Sequence, residues 1–188
     1  MNKRTQKKII DTSFELFRQN GYNQTTINDI CDACNIAKPT FYRNISSKEE
    51  ILTHFFDQLN DDLGQLIINL TNSNNYYQQI IFAFDLIIKR MNIFGKDLYS
   101  QLYISNLKEY NGTFDEIDSL KDIIINLIQK AQEHKQIHNT HSPAKLYTVC
   151  SSICFGCGIK WCMGLIDNPK DEITAQIAII LEVDQKYL

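Results

Sequence analysis

The stretch Thr25-Thr26-Ile27-Asn28-Asp29-Ile30-Cys31-Asp32-Ala33-Cys34-Asn35-Ile36-Ala37-Lys38-Pro39-Thr40-Phe41-Tyr42-Arg43-Asn44-Ile45 reads as two short helices joined by a tight turn. Thr26 is a good N-cap for a helix over about 27–34, because its hydroxyl accepts from an otherwise orphaned N–H. Asp29 falls in the first turn, where the helix dipole favours a negative charge. Asn35 stands at the turn, which needs one left-handed residue, and Asn is the best choice after Gly. Pro39 falls in the first turn of a second helix over about 38–44, where its missing N–H does no harm. Ile27, Ile30, Cys31, Cys34, Ile36, Phe41 and Ile45 can form the small core that sets the crossing angle. Lys38, Thr40, Tyr42, Arg43 and Asn44 are left for the outer face. The second helix is short enough to enter a major groove, so the spacing suits a helix-turn-helix. It also suits an αα-corner in an ordinary helical protein.

Working outward, helical periodicity continues almost everywhere. Ile10, Phe14 and Phe17 mark a helix that Asn20-Gly21 stops. Ser46 with Glu49 and Ser47 with Glu50 offer two overlapping capping boxes for a long helix with a stripe of Leu52, Phe55, Phe56, Leu59, Leu63, Leu66, Ile67 and Leu70. Thr71-Asn72-Ser73-Asn74-Asn75 is the clearest linker. Further helices are expected over about 80–91, 96–109, 117–131 and 143–165, with a last one opened by Asn168-Pro169. Only 7 Gly and 3 Pro occur, too few for the turns of an all-β domain, so the fold class is all-α.

The chain of 188 residues is 44% hydrophobic and 22% charged, which excludes a disordered polymer. No apolar run approaches the roughly 18 residues of a membrane span. The basic start, Lys3-Arg4 and Lys7-Lys8, lacks the apolar segment of a signal peptide, so a cytoplasmic protein is expected, with the 6 Cys as free thiols. The net charge of −3 is unevenly spread: residues 1–50 hold 8 of the 19 Lys/Arg but only 6 of the 22 Asp/Glu. A mildly basic head on an acidic body fits a local phosphate-binding surface. No Gly-rich phosphate loop, Ser-His-Asp context or zinc-hydrolase motif is present, so an enzyme is not expected.

The residues carry a resemblance beyond spacing. Phe14-Glu15-Leu16-Phe17-Arg18-Gln19-Asn20-Gly21-Tyr22, then Thr25-Thr26-Ile27-Asn28-Asp29-Ile30, then Ile36-Ala37-Lys38-Pro39-Thr40-Phe41-Tyr42, then Ser47-Lys48-Glu49-Glu50-Ile51-Leu52 resemble the DNA-binding head of the tetracycline-repressor (TetR) family. The match covers about residues 5–55. It implies a helix-turn-helix head over 1–50 and a helical effector-binding and dimerisation body over 51–188. It also implies a homodimer on a palindromic double-stranded DNA operator, acting as a repressor released by a small molecule. By this resemblance Thr26, Tyr42 and Lys48 contact phosphates, and Lys38, Pro39 and Thr40 open the recognition helix. Arg43 and Asn44 fall at variable positions where base reading is possible. Asn35 replaces the family's usual Gly, Ile45 its usual aromatic, and Cys31 and Cys34 its small apolar residues.

The body offers no motif. By resemblance its last two long helices pair with their twins, and Val149, Ile153, Cys157, Ile173, Ile177 and Ile180 are the interface candidates. Phe84, Phe94, Tyr99, Tyr103 and Trp161 are the candidates for an effector pocket, which favours an apolar or aromatic ligand. Asp85, beside that stripe, could pair with a cationic one. No cofactor or metal is expected. Cys150, Cys154 and Cys157 share a helical face, Cys31 and Cys34 form a Cys-x-x-Cys, and His134, His138 and His141 cluster in sequence. Zinc needs four converging ligands, and free Cys packs as a small hydrophobe. A thiol or metal sensor of the same fold, and a helical protein-interaction module, remain the alternatives.

Overall fold

The computed structural model describes residues 3–56, 75–114 and 118–188. Among these residues the chain is helical, without strands: α1 Lys3–Asn20, α2 Ile27–Cys34, α3 Lys38–Asn44, α4 over 48–56, α5 Tyr76–Lys108, α6 Asp118–Glu133, α7 Pro143–Cys162 and α8 Pro169–Leu181. A 3-10 turn, Gln185–Tyr187, follows. The fold is all-α, as the periodicity requires. The expected stripe beyond Phe56 and the linker before Asn75 lie outside the described residues.

The chain forms two compact units: Met1–Asp61 with Phe94–Thr113, and Asp62–Ile93 with Phe114–Leu188. The second half of α5 therefore belongs with the head, whereas the sequence alone suggests a head ending at residue 50. The break in α5 explains the division. Gly95 has φ 71° and ψ 167°, a region open essentially to Gly alone, and it interrupts an otherwise continuous helix.

In the first unit α1 buries Ile9, Ile10, Phe14 and Phe17. The Phe14 and Phe55 rings stack at 3.7 Å, and Phe94 meets Phe14, Phe55 and Phe56 edge-on at 5.5, 5.5 and 5.8 Å. Such pairs add about 0.5–1.5 kcal/mol each beyond area burial, which holds Phe94 and the helix after it to the head. At the start of α4 one of the two possible capping boxes forms in modified shape. Ser47 Oγ accepts the Glu50 N–H at 3.2 Å, and the Glu50 carboxylate accepts the Ser46 N–H at 2.6 Å.

The second unit packs Tyr77, Ile80, Phe84 and Ile88 of α5 with Ile124 and Ile128 of α6, Leu146, Cys150 and Cys154 of α7, and Ile173, Ile177 and Leu181 of α8. Asn168 caps α8 by accepting the Lys170 N–H at 3.0 Å. The loop between α6 and α7 is tied to the end of the chain. His138 N–H donates to the Glu182 carbonyl at 3.0 Å, and Asp184 N–H donates to that of Gln136 at 3.1 Å. Buried Gln136 accepts the Tyr77 N–H at 3.0 Å, as a buried polar group must to be tolerated.

Candidate nucleic-acid interface

Thr26 caps α2 through a reciprocal box. Its Oγ1 accepts the Asp29 N–H at 3.2 Å, and the Asp29 carboxylate accepts both the N–H and the hydroxyl of Thr26, at 2.8 and 2.7 Å. These bonds hold the Asp29 carboxyl below its ordinary value. The hydroxyl expected to face a phosphate is thus engaged by Asp29. The N–H groups of Ile27 and Asn28, first in α2, have no acceptor within the helix. Asn35 ends α2 with φ 52° and ψ 52°, left-handed as the turn demands. Lys8 Nζ donates to the Cys34 carbonyl at 2.8 Å, closing the far end of α2.

α3 has seven residues and could not persist alone. Phe41 and Ile45, 0% and 1% exposed, anchor it, each by roughly 1.5–3 kcal/mol of buried side chain. Pro39, Tyr42 and Arg43 are exposed away from Phe41, Lys38 is exposed at the start of the helix, and Thr40 is half-buried. Asn44 differs from the expectation of an outward base reader: it is buried, and its Nδ2 donates to the Thr40 carbonyl at 2.7 Å. Its i+3 spacing from Phe41 already contained that inward direction.

Lys48 also has a role that the sequence did not disclose. Its Nζ donates to the carbonyls of Tyr22 and Thr25 at 2.6 and 2.7 Å and sits 4.2 Å from the Tyr22 ring centroid. Burial lowers the proton affinity of Lys48, and the Glu49 charge partly restores it. Burial also raises the Tyr22 phenol, with the Glu49 carboxylate adding to the rise. Asp97 of α5 accepts the Tyr22 N–H at 3.2 Å. The loop entering α2 is therefore held from α4 and from α5.

The aromatic residues expected around an effector are all buried but divide between the units: Phe94, Tyr99 and Tyr103 in the first, Phe84 and Trp161 in the second. Tyr99 lies 6.2 Å from Phe94 and 5.3 Å from Tyr103, an edge-to-face row along α5. A cavity of about 250 Å3 in the first unit has none of the five in its wall; Ser47 and Glu49 face Gln101, Ile104, Ser105 and Lys108 across it. Asp85 already has partners, Lys170 at 2.9 Å and Lys89 at 3.5 Å, so its carboxylate is not held ready for a cationic ligand.

Three of the six interface candidates, Cys157, Ile173 and Ile177, are buried at 0–2% exposure in the core of their own unit, which leaves them no surface to share. Val149 is exposed, and Ile153 and Ile180 are half-buried. Phe155 and Ile159 of α7, Met163 at its C-cap and Ile179 of α8 are exposed, so apolar side chains stand on the outer as well as the inner sides of these helices. The thiols of Cys150, Cys154 and Cys157 are raised by burial, that of Cys150 to about 12, so all three are protonated near neutrality. Among the described residues no three His, Cys, Asp or Glu converge to hold a metal. No described helix is long and apolar enough to cross a membrane.

A capped α2, a left-handed turn and a short α3 with its polar face outward define a helix-turn-helix DNA-binding regulator. The chain belongs to the TetR family. Residues 9–55 match the bacterial regulatory proteins of the tetR family. The negative transcriptional regulator IcaR of the biofilm operon icaADBC in Staphylococcus aureus is 31% identical over 143 residues, covering 71% of this chain and 72% of that protein. The Bacillus subtilis HTH-type transcriptional regulator YuxN is 29% identical over 101 residues, which span 51% of this chain but only 35% of YuxN. Among solved structures, Thermus thermophilus FadR in complex with lauroyl-CoA superposes with a TM-score of 0.69 at 18% identity, covering 94% of this chain and 93% of FadR. A Saccharomonospora viridis regulator in complex with choline gives 0.67 at 16%, covering 98% of this chain and all of that one. At these identities the structures show the shared fold.

Proposed function

We propose that the protein is a cytoplasmic, homodimeric repressor that binds a palindromic operator and leaves it when a small molecule occupies the body. The observation that carries this reading is the exposed face of α3, where Lys38, Pro39, Tyr42 and Arg43 stand on the buried base of Phe41 and Ile45. Tyr42 and Lys38 reach phosphates, Thr40 and Arg43 reach the groove, and the N-terminus of α2 beside Thr26 receives a phosphate with its free N–H groups and dipole. Lys48 uses two of its three N–H groups on carbonyls and keeps one for a phosphate. A seven-residue recognition helix spans few base pairs, so affinity needs two half-sites and a dimer.

The exposed apolar residues of α7 and α8 support that dimer, because a helix apolar on all sides is normally covered on all sides. The effector is a small apolar or aromatic molecule. It would bind the two head arrangements with different affinity and so shift operator binding by that ratio. The test is selection of duplexes from a random pool, followed by binding titrations. The reading expects an inverted repeat to emerge and Tyr42→Ala and Arg43→Ala to lose affinity for it. A pool that stays unenriched, with no salt-dependent binding, would favour a protein-interaction module.

A further inference from the structure

We propose that Asp97, on α5 just beyond the Gly95 break, is a positioning residue for DNA binding that acts through the main chain of Tyr22 on the N-terminus of α2. The inference rests on the phosphate role given above to that N-terminus.

The loop from Gly21 to Thr25 has its polar groups tied on several sides. Tyr22 gives its N–H to Asp97 at 3.2 Å, and its carbonyl accepts from Lys48 at 2.6 Å. The Thr25 carbonyl also accepts from Lys48, and the Thr25 hydroxyl donates to the Gly21 carbonyl at 2.9 Å. The next residue is Thr26, the cap of α2. Planar peptides leave two soft dihedrals per residue, so a loop held this closely to its cap transmits a displacement rather than absorbing it. Asp97 is exposed, but the main chain that carries it is anchored. Its neighbours Leu98 and Tyr99 are 2% and 4% exposed, and Phe94 lies in the ring cluster of Phe14 and Phe55. Lys48 holds the loop from within the helix-turn-helix segment. Asp97 holds it from the part of α5 that follows the Gly95 break. Hydrogen-bond geometry is steep in distance and angle, so the Asp97 bond controls how squarely the α2 N-terminus meets a phosphate.

The experiment uses the full chain and a labelled duplex, titrated at several salt concentrations, with Asp97→Ala and Asp97→Asn. Both variants remove the charge, but Asn keeps a carbonyl oxygen able to accept the Tyr22 N–H. The expected result is that Asp97→Ala weakens binding about tenfold, the scale of one charge-assisted hydrogen bond. The slope of log affinity against log salt stays near that of wild type, because the misplaced groups are uncharged N–H donors. Asp97→Asn keeps an affinity close to that of wild type. If Ala and Asn behave alike while wild type binds, or if Ala lowers only the thermal midpoint, the positioning role is overturned alone. A wild-type chain with no salt-dependent duplex binding would overturn this inference and the DNA reading together.

Discussion

The Lys48 ammonium donates to the Tyr22 carbonyl at 2.6 Å and lies 4.2 Å from the centroid of the same residue's ring. One cation therefore holds both the main chain and the side chain of the residue that leads into α2. It does so from the first helical position of α4, so the start of that helix and the entrance of the helix-turn-helix move as one piece.

Lys48→Met tests this arrangement, since Met keeps much of the aliphatic stem. Two carbonyls lose a charged donor, and a hydrogen bond of that kind contributes about 1.5–3 kcal/mol. Half-burial reduces the effect, so urea unfolding should report a drop of about 2 kcal/mol in total. An unchanged midpoint would mean that water replaces the ammonium without cost.

Thr26→Ala should cost about 0.5–2 kcal/mol through removal of the N-cap. The effect depends on pH. The folded Asp29 carboxyl lies below its ordinary value of 3.8, with the Thr26 hydroxyl as the leading cause. Its contribution is present above that ordinary value and disappears as pH falls through the folded one. The stability gap between wild type and Thr26→Ala should therefore narrow as pH falls below 3.8, leaving the part carried by the Asp29 N–H bond to the Thr26 hydroxyl. A gap that stays constant from about pH 6 to acid would refute the linkage to Asp29.

Asn44 and Arg43 are neighbours with different expected roles. Asn44→Ala should lower stability by about 1 kcal/mol through its bond to Thr40, without changing which sequences are bound. Arg43→Ala should leave the unfolding curve in place and weaken operator binding. Reversed outcomes in paired denaturation and binding titrations would mean that α3 is rotated about its axis relative to this structure.

Thiol chemistry separates a buried core from a sensor. At about pH 8, Cys150, Cys154 and Cys157 should resist a thiol reagent in the native protein, while half-buried Cys162 reacts first. Denaturant should release all 6 thiols. Rapid native labelling of the α7 triplet would revive the sensor reading.

Ile179, 73% exposed, and Ile177, 0% exposed, are two residues apart on α8. Ile179→Asp should dissociate the proposed dimer in sedimentation while preserving helicity. Ile177→Asp places a charge in the core of its own protomer and should unfold it, at a cost of several kcal/mol. A dimer that survives Ile179→Asp would locate the interface elsewhere.

The head was legible from local chemistry. Thr26, Asp29, Asn35 and Pro39 act over a few residues through capping, a left-handed turn and a fixed φ, so their meaning is complete in the sequence. Helical periodicity likewise determined the all-α class and most helix bounds. What tertiary structure alone decided involves partners far apart in the chain. Lys48 and Asp97 reach Tyr22 across 26 and 75 residues, and nothing local to any of the three announces it. Phe94, Tyr99 and Tyr103 read as body residues until the Gly95 break and the Phe14–Phe55 stack placed them with the head. On α7 and α8, apolar spacing could not separate Ile177 from Ile179. A helix apolar all round has no preferred face until its neighbours pack, and their packing buries one and leaves the other at the surface.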